Sequence, residues 1–418
     1  MRSVLALAAL LATGIAHASD VAQPPEDLAA LWKIVQAQQT EIAALRSQLD
    51  ETRQQVNATH DKVEIAEEQL GVTADYLDQV RSSNAATADA TQLGGYGEMH
   101  YNNLDNEDDS EFKSLDYHRF VLFVNHSFSD RLRFFSELEV EHALTANGAP
   151  GEVELEQAYV EYDLDDNHYL RAGLFLLPIG ILNETHEPPT FYGVERNDVE
   201  SIIIPSTWWE GGAGTGGHYE NGLSWDIAVH SGLETPTTGG SAFRVRSGRQ
   251  KVAEAVANDL AYTARLKYTG VPGLELSGSY HYQADASQYP GDGLGAGQLV
   301  SVHGIWNQGP FQLRALWAEW NFDGRAVRLA NVDRQSGWYI EPSYRLTLGD
   351  HDWGFYGRWE DVDGARTFDR FEQWEVGFNF WPHPDVVLKA DWRVRDHDLQ
   401  TERRRNFDGF DLGVGYQF

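Results

Sequence analysis

From Gln92 to Phe418 the chain is written in blocks of about ten residues in which every second side chain is apolar. Read backward from the end, Phe418, Tyr416, Val414, Leu412 and Phe410 alternate with Gln417, Gly415, Gly413, Asp411 and Gly409. The same alternation carries Trp374, Val376, Phe378 and Phe380, then Val386, Leu388, Ala390 and Trp392, and upstream Leu260, Tyr262, Ala264, Leu266 and Tyr268. Successive side chains of a strand point to opposite faces, so each block has one apolar face and one polar or small face. Sixteen such blocks follow one another, near 92–103, 115–128, 131–143, 152–163, 167–177, 214–221, 223–231, 259–269, 273–284, 298–307, 311–322, 336–348, 351–361, 370–381, 385–396 and 408–418. Connections after even-numbered blocks are short, such as Gly349-Asp350, and those after odd-numbered blocks are long, above all 178–213 and 232–258.

A soluble sandwich also alternates, but it has no reason to sort its loops by parity. Short turns at one end and long loops at the other are the habit of barrels in the outer membrane. Aromatics near block ends (Trp338, Trp353, Trp381, Trp392, Tyr416, Phe418) read as interfacial girdles. In lipid the sheet must close, because an open edge leaves backbone groups unsatisfied. The expected fold is a 16-stranded antiparallel outer-membrane β-barrel over 92–418, surrounded by outer-membrane lipid and lipopolysaccharide, with Phe418 as the recognition end for the barrel-assembly machinery.

Ahead of the barrel, basic Arg2, an apolar run from Val4 to Ile15 and small residues to Ala18 predict a cleavable signal peptide, 1–18. That run is too short for a membrane-spanning helix. Leu28, Val35, Ile42, Leu49, Val56, Val63 and Leu70 recur every seven residues and predict an α-helical coiled coil over 19–81, followed by a linker at 82–91. Gln38, Thr52 and Thr59 in the companion position leave the number of helices open, and one amphipathic helix on a surface is the alternative. The parity of the loops puts this rod in the periplasm.

Lys and Arg number 32 against 64 Asp and Glu, a net charge of −32 that argues against nucleic acid as a partner. Cysteine is absent, which excludes disulfides and thiolate chemistry. His186 beside Glu184 and Glu187, and His142 near Glu139 and Glu141, lack the spacing of a known metal site, so neither a metal nor a cofactor is expected. Gly211 to Gly217 has neither the lysine nor the helix of a phosphate cradle. The connection 178–213 is too apolar for water: Ile202, Ile203, Ile204, Trp208 and Trp209 call for burial. Folded into the barrel it would form a constriction that carries Glu184, His186, Glu195, Trp208 and Trp209; packing on a neighbouring subunit is the alternative.

The stretches GGYGEMHYNN from Gly94, RLRFFSELEVEHA from Arg131, EQAYVEY from Glu156, RAGLFLLPIGILNETHEPP from Arg171 and IIIPSTWWEGG from Ile202 resemble the phosphate-selective porins O and P. The resemblance implies a homotrimer of sixteen-strand barrels, an inward third loop, a periplasmic coiled coil in some relatives, and an anion path of arginines and lysines. This chain departs from that in having only six lysines. The inward phase selects Arg119, Arg131, Arg133, Arg171, Arg265, Lys267 and Arg314 for the solute path, joined by Arg196 from the loop. Inward carboxylates such as Glu98, Glu137, Glu139 and Glu161 are about as frequent, so a lumen cross-braced by ion pairs is the competing reading. The expected function is passive diffusion of small hydrophilic solutes, anions among them, without catalysis. A structural tether acting through the rod and an outer-membrane hydrolase are the alternatives.

Overall fold

The alternation is realised as sixteen antiparallel strands in a computed structural model that describes residues 90–418, apart from 109–110 and 290–292, together with Gln39. Apart from Gln39, the expected signal peptide, the coiled coil and the linker as far as residue 89 lie outside the described residues. The strands are β1 (Thr91–Asn106), β2 (Glu111–Ser127), β3 (Leu132–Glu141), β4 (Val153–Asp163), β5 (His168–Leu176), β6 (Trp209–His218), β7 (Leu223–His230) and β8 (Ala261–Val271). They continue as β9 (Leu274–Gln283), β10 (Gly297–Gln308), β11 (Phe311–Phe322), β12 (Arg334–Leu348), β13 (His351–Asp363), β14 (Arg370–His383), β15 (Val386–His397) and β16 (Phe407–Gln417). Each pairs with its sequence neighbours, and β1 closes the ring on β16 with Tyr96 opposite Gln417 and Leu104 opposite Gly409. Phe418 extends the seam, its N–H donating to the Gly95 carbonyl and its own carbonyl accepting from the Gly95 N–H.

The two faces are inverted relative to a water-soluble protein. Leu170, Tyr262, Ile340, Val376, Leu388 and Leu412 are exposed on the outside, whereas Glu98, Arg119, Glu137, Arg358, Glu375 and Asp411 are buried inside. Apolar side chains outside and charges inside is a stable arrangement only where the surroundings are hydrocarbon.

Strand limits follow the alternation to within four residues, the largest of these being the start of β2 at Glu111 rather than 115, except at β6, which begins at Trp209 rather than 214. Residues 209–213 pair with Leu176–Ala172, although the run from Gly211 to Gly217 has too few side chains to display a period. The third loop is therefore 177–208, and Trp209 belongs to the wall. Thr91, expected in the linker, is the first residue of β1. Trp381 departs from the expected girdle: it is buried on the inside, stacks edge-on against Tyr192, and donates from Nε1 to the Pro189 carbonyl at 3.4 Å. Trp338, Trp392 and Phe418 are exposed.

The apolar core lies inside the ring. Ile203, Ile204 and Trp208 of the third loop pack with Leu233, Phe243 and Val245 of the fourth loop (231–260) against Leu299, Trp320, Phe322, Tyr339 and Phe371 of the wall. Each fully buried side chain of this size contributes about 1.5–3 kcal/mol. Ile203, Ile204 and Trp208 have no exposed surface left for a neighbouring subunit, and Ile202 is packed at the edge of the same cluster.

Leu412, midway along β16, tests which face meets lipid. Leu412→Arg is expected to destabilise the barrel by about 2–4 kcal/mol in urea titrations of protein folded into vesicles. An unchanged midpoint would mean that this face does not contact hydrocarbon.

Candidate functional site

Chain that leaves a strand to run inside a barrel loses its ladder partners, and every buried N–H and C=O then needs another. Asn183 staples the two ends of the third loop: its Nδ2 donates to the carbonyls of Leu177 (2.7 Å) and Trp208 (3.0 Å), and its Oδ1 accepts from the Trp208 N–H (2.6 Å). Glu200 ties the two arms, accepting from the N–H groups of Ile181 (2.5 Å) and Leu182 (2.8 Å) and from the Tyr339 hydroxyl (2.9 Å). The chain can turn there because Gly180 sits at φ +77°, where a Cβ would lie 2.5 Å from Glu200 Oε1.

The middle of the loop crosses to the opposite wall, which supplies side chains to its backbone. Asn379 donates to the Phe191 carbonyl (2.9 Å), Lys389 to Gly193 (2.8 Å), and Arg358 to Tyr192 and Glu195 (both 3.3 Å). Asp391 and Glu360 accept from the N–H groups of Val194 (2.8 Å) and Asp198 (2.7 Å). Arg358 is fixed in turn by Glu341 (3.1 Å) and Glu375 (2.7 Å) on the flanking strands. Inward-facing charges in this half of the ring are thus braces for the loop.

On the side of the long loops, the third and fourth loops and strands β1–β4, β15 enclose a cavity of about 670 Å³. Three guanidinium groups face it without a carboxylate partner among the described residues. Arg196 donates to Thr207 Oγ1 (3.4 Å) and the His186 carbonyl (3.3 Å). Arg246, on the short 3-10 turn Val245–Gly248, donates to the carbonyls of Ser201 (3.2 Å) and Ser206 (2.5 Å), and Arg249 to that of Thr207 (2.5 Å). Burial, joined by the charges of Arg249, Arg196 and Arg119, pulls the Arg246 pKa down to about 9. Burial lowers Arg249 as well, against the pull of Glu154 and Glu156. Burial is the leading cause in both, and a guanidinium stays protonated at neutral pH, so both are desolvated positive charges. Glu195 lines the same cavity; burial opposes its ionisation, but hydrogen bonding from His100 and the nearby Arg393 hold its carboxyl well below the ordinary range.

The basic residues selected from the alternation divide into three groups. Arg119 is paired with Glu98 (2.8 Å) and Glu139 (3.5 Å), Arg133 with Glu161 (2.9 Å) and Asp163 (2.8 Å), and Arg265 with Asp226 (2.7 Å) and Glu184. Arg131 does not line the lumen from a strand: it is exposed in the turn between β2 and β3, where its carbonyl accepts from Asp163 N–H. Arg171, Arg196, Lys267 and Arg314 have no carboxylate partner among the described residues. Arg171 lies over the Phe175 ring at 4.5 Å, and Arg314 donates to the Thr190 carbonyl at 3.0 Å. Of the residues expected at the constriction, Glu184 is spent on Arg265, Trp208 Nε1 donates to Glu210 (2.8 Å), the ring of Trp209, now in the wall, lies under Arg249 at 5.7 Å, and His186 Nε2 is 3.3 Å from Glu137. Arg246 and Arg249 were not selected, although RVRSGRQK at 244–251 is a basic run in an acidic chain.

The family described as phosphate-selective porin O and P matches residues 92–418. A protein of Aquifex aeolicus (strain VF5) described as uncharacterized is 30% identical over 356 residues, 78% of this chain and 79% of its own length. Among solved structures, an anion-selective porin from Comamonas acidovorans superposes with a TM-score of 0.55 at 11% identity, covering 79% of this chain and 99% of that one. The outer membrane channel DcaP of Acinetobacter baumannii gives 0.53 at 13% identity, covering 78% and 97%. At these identities the structural likeness speaks for the fold.

Removing one member of a buried ion pair leaves the other charge uncompensated. Arg358→Met is therefore expected to cost about 3–5 kcal/mol in urea titration, because Glu341 and Glu375 stay buried. Arg131→Met, in an exposed turn, is expected to change stability by less than about 0.5 kcal/mol. Equal effects would remove the distinction between brace and surface charge.

Proposed function

The chain belongs to the phosphate-selective porin O and P family and is an outer-membrane channel for passive diffusion, and we propose that the solutes it favours are small hydrophilic anions. The observation that carries this reading is the cluster of Arg196, Arg246 and Arg249, which faces one cavity and donates to hydroxyl and carbonyl oxygens, with no carboxylate partner among the described residues. Backbone and hydroxyl dipoles fix the direction of the three groups without cancelling their charge. An anion entering from the long-loop side meets them first, passes the third loop, and leaves past Arg171, Lys267 and Arg314 nearer the short turns. Arg119, Arg133 and Arg265 act as braces along this route, each being matched by carboxylates. Rings of like charge select permeant ions by the potential they set where the pore is narrow.

Three copies of the barrel, held together in part by a coiled coil formed by 19–81 in the periplasm, make up the assembly in this proposal. It rests on the seven-residue repeat and on the short turns of the barrel, which face the periplasm in proteins of this architecture. Conductance in planar bilayers is expected to rise in groups of three equal steps.

A reversal potential across a potassium chloride gradient tests the anion route. Wild type is expected to favour chloride, and the combined change Arg196→Ala, Arg246→Ala and Arg249→Ala to lower the chloride-to-potassium permeability ratio several-fold while leaving the channel open. An unchanged ratio would discard the cluster as the selective element.

A further inference from the structure

We propose that Glu137, Glu156 and His186 form a binding site for one divalent transition-metal ion that fastens the third loop to the barrel wall. His186 Nε2 lies 3.3 Å from Glu137 Oε1 on β3 and 3.8 Å from Glu156 Oε2 on β4, and the three atoms all fall within 4.8 Å of one another. All three residues are buried, with relative exposures of 1%, 1% and 3% for Glu137, Glu156 and His186.

The hydrogen bonds around the cluster set its polarity. His186 Nδ1 is 3.3 Å from the Asn183 carbonyl, which can only accept, so Nδ1 carries the proton and donates. In the neutral ring Nε2 then turns a lone pair toward two buried carboxylates, an arrangement that is repulsive until a cation lies between them. Metal-bound histidines are commonly held this way, with the distal N–H on a backbone carbonyl. Gln157 Nε2 donates to Glu137 Oε2 at 2.7 Å, which leaves Oε1 turned to the imidazole, and buried Glu156 Oε2 has no hydrogen-bond partner.

Size and access agree with the same assignment. An ion at about 2.0–2.2 Å from nitrogen and oxygen ligands in tetrahedral geometry separates those ligands by about 3.3–3.5 Å. The two imidazole-to-carboxylate separations, 3.3 and 3.8 Å, bracket that range with little adjustment. The 670 Å³ cavity reaches Glu156, giving the ion a way in and water a way to the fourth position. One imidazole with two carboxylates suits Zn²⁺ or a similar ion, whereas Mg²⁺ and Ca²⁺ take oxygen ligands throughout. The consequence reaches the arginines, because Arg196 donates to the carbonyl of His186 itself (3.3 Å). The ion would hold that carbonyl in place and neutralise two carboxylates beside the cluster.

The test uses the folded full-length protein in detergent, stripped with chelator and titrated with Zn²⁺ alone by equilibrium dialysis. One Zn²⁺ per barrel is expected, with affinity lowered at least tenfold in both His186→Ala and Glu156→Gln, and an equal concentration of Mg²⁺ is expected not to displace it. Heat-dependent gel mobility checks that each variant has formed its barrel. Where a variant does not fold, X-ray absorption of Zn²⁺-loaded wild type decides, with one imidazole and oxygen ligands expected. Absence of bound Zn²⁺, binding untouched by both substitutions, displacement by Mg²⁺, or a shell of several imidazoles would each overturn the assignment; the first leaves protonated His186 as the counter-charge.

Discussion

The structure depends on satisfying the backbone of a loop that has no strand beside it. Along 177–208 the barrel replaces ladder partners with side chains, and it needs several because the segment crosses from the β5 edge to the far wall. Lys389 reaching the Gly193 carbonyl and Asp391 reaching the Val194 N–H show how this shapes the lumen. A wall residue that meets a carbonyl has to be a donor, one that meets an N–H has to be an acceptor, and here a lysine and an aspartate fill the two roles. At Gly193, φ +88°, a Cβ would come 2.5 Å from Glu375 Oε1, so the loop approaches the wall closely only because that residue has no side chain.

This requirement explains why the inward face is so rich in charge without being an ion filter throughout. A buried arginine that braces a loop must be matched by carboxylates, as Arg358 is by Glu341 and Glu375, and a matched group offers little to a passing solute. In the proposed route, selectivity is left to groups held by neutral oxygens. Arg246 and Arg249 belong to that class because the fourth loop brings them to carbonyls of the third at Ser201, Ser206 and Thr207.

Strand number, ring closure and the inward course of the third loop were legible in the sequence because each is written in a local period or in an apolar excess. Lipid removes ambiguity from the alternation: Leu388 and Lys389 cannot exchange faces. Legibility failed where the signal is not local. β6 is masked by glycines, whose strand is set by neighbours β5 and β7. Trp381 is aromatic near a strand end, as a girdle residue would be, but its inward phase brings it to the third loop. Pairing within the lumen was the least readable feature, since Arg119 and Arg171 have the same phase, and only the register shows that Arg119 lies opposite Glu98 on the neighbouring strand. His186 was weighed against its sequence neighbours Glu184 and Glu187, while the carboxylates it meets come from strands 49 and 30 positions away, at Glu137 and Glu156.

An acidic chain can favour anions because net charge and local potential are separate quantities. Charges further apart than about 8 Å are largely screened at physiological ionic strength, so carboxylates on distant loops contribute little at the constriction. Carboxylates close to the mouth have cations or hydrogen-bond donors of the protein itself beside them. Glu98 and Glu139 lie on Arg119, Glu152 and Glu154 lie on Lys251, and Glu195 accepts from Asn102 at 3.0 Å beside His100. Glu137 and Glu156 are a buried carboxylate pair facing the imidazole of His186, with Gln157 donating to Glu137. In the proposed arrangement a divalent ion there neutralises the two carboxylates and leaves Arg196, Arg246 and Arg249 as the charges that a solute meets at the mouth.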